Sequence, residues 1–386
     1  MALFDAFANR KKLKITKPIR LIELFAGVGT QAMALRDLGV DFERYRVCEI
    51  DKYAMQSYNA IHGTAFVASD ICDWHGDDLG IIDTDKYCYI LTYSFPCTNI
   101  SVAGLQKGMD KSSNTPSSLV WQVTRLLTET KELPQILVME NVTQIHSKKF
   151  IDDFNNLIEF LSGLGYTNTY TDLNAIDFLI PQTRNRCFMV STLNELAYEF
   201  PKPVELTTKL HNYLEPFVDI SHYYLKETAK ELTDYIASQG STFIENTSDY
   251  NRMYMLKIRN FNQQAVVNDE FGLCRTLLCV NGSNKPKLLQ KYKIDSDSLI
   301  VDMVGNVIAK PDTFEHFNDF IYMVDGATYL LLVRYVTPLE CWRLMGYSDD
   351  DYNKAKNTGL SNYQLYAQAI NGIVKDVLMA IFKQMF

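Results

Sequence analysis

The sequence has no apolar run that approaches the roughly 20 residues of a membrane-spanning helix. Its N-terminus, Met1 to Asp5, leads into basic residues without the apolar core of a signal peptide. Together these absences predict a soluble protein that stays in the cytoplasm.

The cysteine spacing lacks the patterns of a disulfide framework or a zinc site. No two cysteines form a C-x-x-C pair, so we expect no metal and expect any functional cysteine to act alone. The eight cysteines are Cys48, Cys72, Cys88, Cys97, Cys187, Cys274, Cys279 and Cys341.

Low-complexity tracts and internal repeats are also missing. Apolar residues make up 47% of the chain and charged residues 22%, which excludes a disordered protein. A chain of 386 residues has room for about two domains of roughly 100 to 200 residues each.

Short apolar runs alternate with helical stretches from about Ile19 to Thr192. Parallel strands need crossover connections, so this alternation predicts an α/β fold with a mostly parallel sheet and helices on both faces. The predicted strands are IRLIELF, RYRVCEI, YCYILTYS, QILVMEN and RCFMVST, with a further candidate before Asp70. The predicted helices begin at Thr30, Lys52, Leu119 and Phe150.

The alternation stops after Pro201 and Pro203. From there to about Leu332 the chain is rich in Asn, Asp, Ser and Tyr and has short strand candidates, GLCRTLLCV and YLLLVRYV, which predict a second domain. Pro338 opens a predicted helix, and Gln364 to Met385 has the pattern of one amphipathic helix. We expect a basic arm over residues 1–18, a first domain over 19–204, a second over 205–332, and a return to the first over 333–386.

The formal charge of −8 argues against a polyanionic partner. Residues 251–293 differ, because they hold eight basic residues against Asp269 and Glu270, a local balance of +6. This basic segment is either a solvated charged face or a surface for nucleic acid.

A glycine-rich turn follows the first predicted strand. In ELFAGVGTQA, Gly27, Gly29 and Ala32 lie between a strand and a helix, and Glu49 ends the next strand 20 residues after Gly29. Such a turn fits NAD or S-adenosylmethionine, with the carboxylate on the ribose hydroxyls, although a tight turn without a ligand has the same pattern. Asp70 is either a partner for an adenine amino group or a helix cap.

Reactive side chains follow two later strands. Cys97 comes directly after YCYILTYS and Pro96, and Glu140 ends QILVMEN, so both are expected at the carboxyl edge of the sheet. A cysteine and a carboxylate beside a nucleotide site indicate covalent chemistry on a heteroaromatic ring, whereas taken singly they read as a buried cysteine and a cap. Arg184 and Arg186 share one face of the last strand and are otherwise a surface basic pair.

The ordered blocks ELFAGVGTQ, CEIDKYA, SDI, SFPCTNIS, MENV, LNAIDF, PQTRNR, RYVTPLECWRLMGY and AQAINGIV resemble those of the DNA cytosine-5 methyltransferase family, of bacterial or phage type. The resemblance runs from about Ile19 to the C-terminus except near 205–330. It implies a Rossmann-like S-adenosylmethionine-dependent methyltransferase domain with a smaller, irregular, mostly β target-recognition domain.

The resemblance also implies roles for single residues. Cys97 matches the nucleophile on cytosine carbon 6, Glu140 the partner of ring nitrogen 3, and Arg184 with Arg186 the pair that orders the catalytic loop and holds the base. The loop from Ser101 to Ser118 resembles the segment that closes over the flipped base. The expected cofactor contacts are Phe25, Ala26, Gly27, Gly29, Glu49, Ile50, Asp70, Ile71, Pro96 and Asn371.

Two positions depart from the family pattern. Thr98 follows the nucleophile where the family usually has Gln, and Ile370-Asn371-Gly372 stands where it usually has Gly-Asn-Ser. Neither departure removes a reacting group.

The sequence therefore predicts a monomeric enzyme that methylates carbon 5 of cytosine in duplex DNA, with a restriction endonuclease as a candidate partner. The alternatives are a tRNA cytosine-5 methyltransferase of the same fold and a non-catalytic DNA-binding relative. Arginine is the best reader of guanine, and lysines suit phosphates. The expected DNA contacts are Ser101, Arg275, Thr276, Asn281, Lys285 and Lys287.

Overall fold

The computed structural model describes residues 12–101, 107–111, 113–193, 196–216, 218, 223, 225–249, 251–255, 266–278, 285–309 and 320–386. The predicted DNA contact Asn281, most of the predicted basic arm and part of the 101–118 loop lie outside these residues.

The first sheet has six strands in the order β2-β1-β3-β4-β7-β5. Its first four strands run parallel, and β7 runs antiparallel to both of its neighbours, which confirms the predicted mostly parallel sheet. The strands are β1 (Ile19–Leu24), β2 (Phe42–Cys48), β3 (Cys88–Tyr93), β4 (Ile136–Val142), β5 (Tyr166–Asn174) and β7 (Asn185–Leu193).

The helices between these strands begin within one residue of the predicted starts. They are α1 (Thr30–Asp37), α2 (Lys52–His62), α3 (Val120–Glu129) and α4 (Ile151–Gly163). Local signals fix the bounds of α2, because the Asp51 side chain accepts from the Tyr53 N–H and Gly63 ends the helix at a left-handed φ of 64°.

Two parts of the first sheet differ from expectation. The strand predicted before Asp70 does not form, and residues 64–70 have no regular secondary structure. Strand β5 is not predicted, because its sequence YTNTYTDLN is polar; it lies at the edge of the sheet, where one face needs little apolar surface.

Both faces of the first sheet are buried. On one face, strand residues such as Leu21 and Val190 pack with apolar residues of α1 and of the C-terminal helices. On the other, Leu91 and Met139 pack with α3 and α4. The carboxyl edge of the parallel strands is left between the two helical layers, and the candidate site forms there.

A second, largely antiparallel sheet occupies the later part of the chain. Its central pair is β11 (Lys287–Ile294) and β15 (Ala327–Tyr335), and α5 (Lys226–Ser238) packs on it through Leu232 and Ile236. The shorter elements of this region are α6 (Ser241–Glu245), β8 (Met253–Met255), β9 (Val266–Asp269), β12 (Ile300–Asp302), β13 (Val307–Ala309) and β14 (Ile321–Val324).

Of the predicted strand GLCRTLLCV, the structure describes residues 272–278, and within these β10 (Cys274–Arg275) forms and pairs with β6 (Gln182–Thr183) in parallel. The Leu277 N–H donates to Gln182 Oε1 at 3.2 Å, and the Thr276 hydroxyl donates to the Thr183 carbonyl. This contact joins the part of the chain that forms the second sheet to the residues just before Arg184.

The C-terminal part holds α7 (Pro338–Arg343), α8 (Asp349–Lys356), α9 (Asn362–Asn371) and α10 (Lys375–Lys383). The prediction of one closing helix is wrong, because the chain breaks at 372–374. By length and composition alone Asn362–Lys383 is apolar enough to cross a membrane, but 67% of its apolar 18-residue window is buried inside the protein, as in a core segment. Lys375 Nζ lies 2.6 Å from Asp37 Oδ2, which ties α10 to α1.

Candidate active site

The glycine-rich turn leaves an open space at the end of β1. Phe25 and Gly27 both take left-handed φ values, 57° and 56°, and a Cβ placed on Gly27 would meet no atom within 4 Å. Gly29, at φ 81°, has no such room, because a Cβ there would lie 2.3 Å from His62 Nε2. The second glycine is therefore required by packing, and the first lets a ligand approach the backbone.

Glu49 joins this turn to the end of β2. Its carboxylate accepts from the Gly27 N–H and from the Asp51 N–H, both at 2.8 Å. Burial raises the pKa of Glu49 above its ordinary value, and these hydrogen bonds oppose the rise. The next side chain, Ile50, is apolar yet 67% exposed. A carboxylate beside an uncovered apolar side chain fits the ribose hydroxyls and the adenine ring of a nucleoside.

The other expected cofactor residues differ in exposure. Asp70 caps a short 3-10 helix by accepting from the Cys72 N–H at 2.9 Å, so the helix-cap interpretation holds for one of its oxygens. Ala26 and Ile71 are buried, whereas Asn371 is exposed at the end of α9.

Cys97 lies on the turn that follows β3. Its carbonyl accepts from the Ile100 and Ser101 N–H groups at 3.0 and 2.9 Å, which closes a tight turn directly after the cysteine. Pro96, before it, is half-buried. Burial, and then the carboxylate of Glu140, raise the pKa of Cys97, whereas Arg186 and Arg184 lower it. The thiol form therefore predominates near neutral pH.

Glu140 extends from β4 towards Arg186 on β7. Arg186 pairs with Val142, which lies two residues after Glu140 and so on the same face of β4. The Glu140 and Arg186 side chains therefore share that face, and Arg186 Nε lies 3.3 Å from Glu140 Oε1. Burial raises the pKa of Glu140, and the two arginines oppose the rise. A carboxyl group with a raised pKa can hold the proton that a ring nitrogen accepts.

Arg184 is held by backbone carbonyls of distant parts of the chain. It is 4% exposed and donates to the Ile370 and Gly372 carbonyls, each at 2.9 Å, and to the Leu277 carbonyl at 3.4 Å. Burial, with the neighbouring Arg186, lowers the pKa of Arg184 to about 9. Its guanidinium thus fixes the chain on both sides of Asn371, while only its charge acts on Cys97 and Glu140.

The predicted DNA contacts fall into two groups. Arg275 is exposed on β10 and pairs with Thr183, which precedes Arg184 in the chain. Lys285 and Lys287 instead pack over the Tyr335 ring, with Nζ 5.5 and 5.7 Å from its centroid. Lys287 is only 5% exposed, and burial lowers its pKa, so the structure does not present it as a surface phosphate ligand.

Two lysines of the basic segment are paired with carboxylates. Lys291 is fully buried and lies 3.0 Å from both carboxylate oxygens of Asp269, and Lys293 lies 2.9 Å from Glu245. The +6 balance of residues 251–293 therefore overstates the charge that this segment offers to DNA. Glu245, which lies outside the segment in sequence, neutralises Lys293, and Lys287 and Lys291 are buried.

Sequence reasoning missed two side chains that support the site. Glu23 is completely buried under the glycine turn and accepts from the Tyr58 hydroxyl at 2.5 Å. Asn141 donates from Nδ2 to the Phe95 carbonyl at 3.0 Å, which ties the end of β4 to the chain just before Cys97. The MENV block, in which Asn141 follows Glu140, was the sequence signal for Asn141. For Glu23 the available signal was a charged residue within an apolar strand.

A further cluster of potential metal ligands lies on the opposite face of the sheet, where ligand atoms of His146, Asp172 and Cys187 come within 4.8 Å of one another. His146 Nε2 and Asp172 Oδ1 are 2.9 Å apart, and burial raises the pKa of the Cys187 thiol. A direct hydrogen bond and a neutral thiol account for the cluster, and the absence of a metal stays a prediction.

The fold and the site place this chain in a class, the α/β methyltransferases. The crystal structure of the S. pombe Dnmt2 methyltransferase superposes with a TM-score of 0.62 at 18% identity, covering 95% of this chain and 97% of that one, a likeness of fold. The family follows from sequence: the chain belongs to the C-5 cytosine-specific DNA methylases, whose pattern matches residues 19–386.

Two curated relatives are similar to this chain over most of its length. The type II methyltransferase M2.ScrFI of Lactococcus lactis subsp. cremoris is 29% identical over 421 residues, covering 95% of this chain and 99% of that protein. The orphan methyltransferase M.SssI of Spiroplasma monobiae is 30% identical over 330 residues, covering 71% of this chain and 82% of that protein.

Proposed function

We propose that this protein transfers a methyl group from S-adenosylmethionine to carbon 5 of cytosine within a specific duplex DNA sequence. The observation that carries the proposal is the convergence of Cys97, Glu140 and Arg186 at the sheet edge that also holds the glycine turn and Glu49. We further propose that it acts as a cytoplasmic monomer in a bacterial or phage-infected cell, with or without a restriction endonuclease.

Cys97 supplies the nucleophile. Carbon 5 of cytosine is a poor nucleophile in the aromatic ring, and a bond between the Cys97 sulfur and carbon 6 makes carbon 5 electron-rich. After carbon 5 is methylated, loss of its proton returns the electron pair to the ring and expels the Cys97 thiolate. The raised pKa of Cys97 means that the thiol must lose its proton before or during the addition.

Glu140 and Arg186 act on the polar edge of the base. The Glu140 carboxyl holds a proton toward ring nitrogen 3, which favours the addition at carbon 6. Arg186 lies beside that carboxyl and keeps its orientation. Because the reacting atoms of a stacked base cannot be reached, the cytosine is flipped out of the duplex at a cost of a few kcal/mol.

The cofactor residues fit an adenosyl group. Glu49 binds the ribose hydroxyls, Ile50 and Phe25 contact the adenine, and Gly27 allows the close approach of the chain. When bound, S-adenosylmethionine supplies the methyl group in an activated, sulfonium-bound form. Asp70 keeps one carboxylate oxygen for the adenine amino group.

Cys97→Ser tests the proposal. Serine is far less ionised than cysteine near neutral pH, so we expect loss of methyl transfer while folding and binding of S-adenosylhomocysteine persist. The wild type should also form a covalent adduct with a duplex that carries 5-fluorocytosine. Near-wild-type turnover in Cys97→Ser would remove Cys97 as the nucleophile.

The tRNA alternative uses the same cysteine and glutamate, so it must be separated by substrate. We expect activity on duplex DNA to exceed activity on tRNA in parallel assays with labelled methyl donor, because the sheet built on β11 and β15 offers a separate surface for sequence recognition. The reverse ratio would favour the tRNA enzyme, and an inert wild type on both would favour a non-catalytic DNA-binding relative.

A further inference from the structure

The turn that carries Cys97 is held from beneath by one buried hydroxyl. Ser117 is 0% exposed and lies in the short 3-10 helix Pro116–Leu119 that leads into α3. Its Oγ donates to the Pro96 carbonyl at 2.7 Å and accepts from the Asn99 N–H at 3.2 Å. The two backbone groups that it joins stand on either side of Cys97.

A hydroxyl suits this position because it donates and accepts at one atom. Asn99 is 3% exposed, so its N–H depends on a protein partner. The Asn99 carbonyl accepts in turn from the Gly108 N–H at 3.0 Å, and the Thr115 hydroxyl donates to the Gly108 carbonyl at 2.9 Å. One chain of hydrogen bonds therefore links the cysteine turn to the end of the 101–118 loop.

We propose that Ser117 is a positioning residue for the Cys97 nucleophile. The proposal rests on the proposed function, since it concerns the approach of the Cys97 sulfur to carbon 6. Ser117 touches neither the base nor the reacting sulfur; it acts by fixing the peptide groups before and after Cys97. Its loss lets the turn shift, which lengthens the attack distance without changing the binding surfaces.

The neighbouring serine is a matched control. Ser118 is half-buried in the same 3-10 helix, and its hydroxyl donates only to the Thr115 carbonyl at 2.7 Å, within its own turn. Ser118→Ala thus removes a hydroxyl of the same size without releasing the Pro96 to Asn99 segment.

The experiment compares Ser117→Ala, Ser118→Ala and the hydroxyl-retaining Ser117→Thr as full-length proteins. We expect kcat and the rate of covalent capture by 5-fluorocytosine duplex DNA to fall about 10- to 100-fold in Ser117→Ala, as for a misplaced reacting group. The KM values for DNA and cofactor, and the affinity for S-adenosylhomocysteine, should stay within about 2-fold, because those surfaces do not change. Ser118→Ala should keep much more of the rate than Ser117→Ala, because its hydroxyl bonds only within its own turn, and Ser117→Thr should recover part of the rate.

A purely structural serine gives a different result: Ser117→Ala then unfolds at a lower denaturant concentration but captures DNA at the wild-type rate while folded. That outcome, or equal rate losses in Ser117→Ala and Ser118→Ala, would overturn the proposal. Failure of the proposed function is separate, because the wild type itself would then neither methylate DNA nor form the adduct. If Ser117→Thr is too large to fold, the contrast between the two alanine variants still decides.

Discussion

At the scale of single residues, burial controls the protonation of carboxyl groups around the site. Glu23, beneath the glycine turn, is the strongest case, because burial raises its pKa to about 7, and the Tyr58 and Ala32 hydrogen bonds oppose this only in part. The folded protein therefore holds a proton on Glu23 that the unfolded chain has lost above its ordinary pKa of 4.5.

This difference predicts a pH-dependent stability. Between the unfolded pKa of 4.5 and the folded pKa of about 7, the folded state binds the extra proton, so the free energy of unfolding falls as the pH rises. Glu23→Gln, which resembles the protonated form, should remove a fall of about 2 to 3 kcal/mol from the stability profile. Urea unfolding of both proteins from pH 4.5 to 8 measures it, and parallel profiles would contradict it.

Glu49 carries the second residue-scale prediction. Glu49→Ala removes the acceptor of the Gly27 and Asp51 N–H groups together with the expected ribose contact. We expect S-adenosylhomocysteine binding to weaken by about 1 to 3 kcal/mol, as for a lost hydrogen bond to a charged group. Calorimetry is the measurement. Glu43→Ala, on the exposed part of the same strand β2, is the control that should leave affinity unchanged.

At the scale of elements, the break between α9 and α10 is built around Arg184. A single guanidinium binds the carbonyls before and after Asn371 and also reaches Leu277. Gly372 allows the bend, since a Cβ there would lie 2.2 Å from the Tyr347 hydroxyl. Arg184, between β6 and β7, thus fixes the position of the AQAINGIV block.

Arg184 and Arg186 should therefore fail in different ways when replaced by methionine. Arg184→Met leaves buried carbonyls without a donor and frees Asn371, so we expect cofactor affinity to fall about 10-fold or more, equal to at least about 1.4 kcal/mol. Arg186→Met should keep cofactor affinity and lose methyl transfer. Calorimetry and single-turnover assays on both variants test this, and equal cofactor affinities would argue against the assignment.

At the scale of the whole molecule, the net charge does not favour DNA binding. The net charge is −8, and Lys291 and Lys293 of the basic segment are paired with Asp269 and Glu245. Arg275 is exposed where β10 pairs with β6, just before Arg184 and Arg186 in the chain. If the junction of β10 and β6 recognises the DNA sequence, the base pair that it contacts lies close to the flipped cytosine.

We predict that Arg275→Ala relaxes or abolishes specificity at one base pair, a loss of roughly 1 to 3 kcal/mol of discrimination. Lys285→Ala should weaken binding to all DNA alike and reduce the salt dependence. Lys287→Ala, at a buried lysine, should lower stability more than it changes the salt dependence. Methylation across a randomised-site library decides the first case: a folded Arg275→Ala with the wild-type motif and rate would exclude Arg275 as a reader.

Much of the fold follows from the sequence because its signals are local. The alternation of apolar runs and helices predicts the parallel core. The Asp51 cap and Pro338 predict the starts of α2 and α7. The order of the blocks brings Gly27, Glu49, Cys97 and Glu140 to one sheet edge, since the carboxyl ends of parallel strands meet there.

Only the tertiary structure decides the features that depend on distant parts of the chain. The polar strand β5 forms because β7 pairs with it, and the closing helix breaks because Arg184 and Tyr347 surround Gly372. Arg184 turns towards backbone carbonyls, Lys287 is buried, and Ser117 reaches both sides of Cys97, none of which any local pattern encodes. The role of a charged group or a hydroxyl depends on the distant partners that folding brings within hydrogen-bond distance. Those partners come together only in the folded chain.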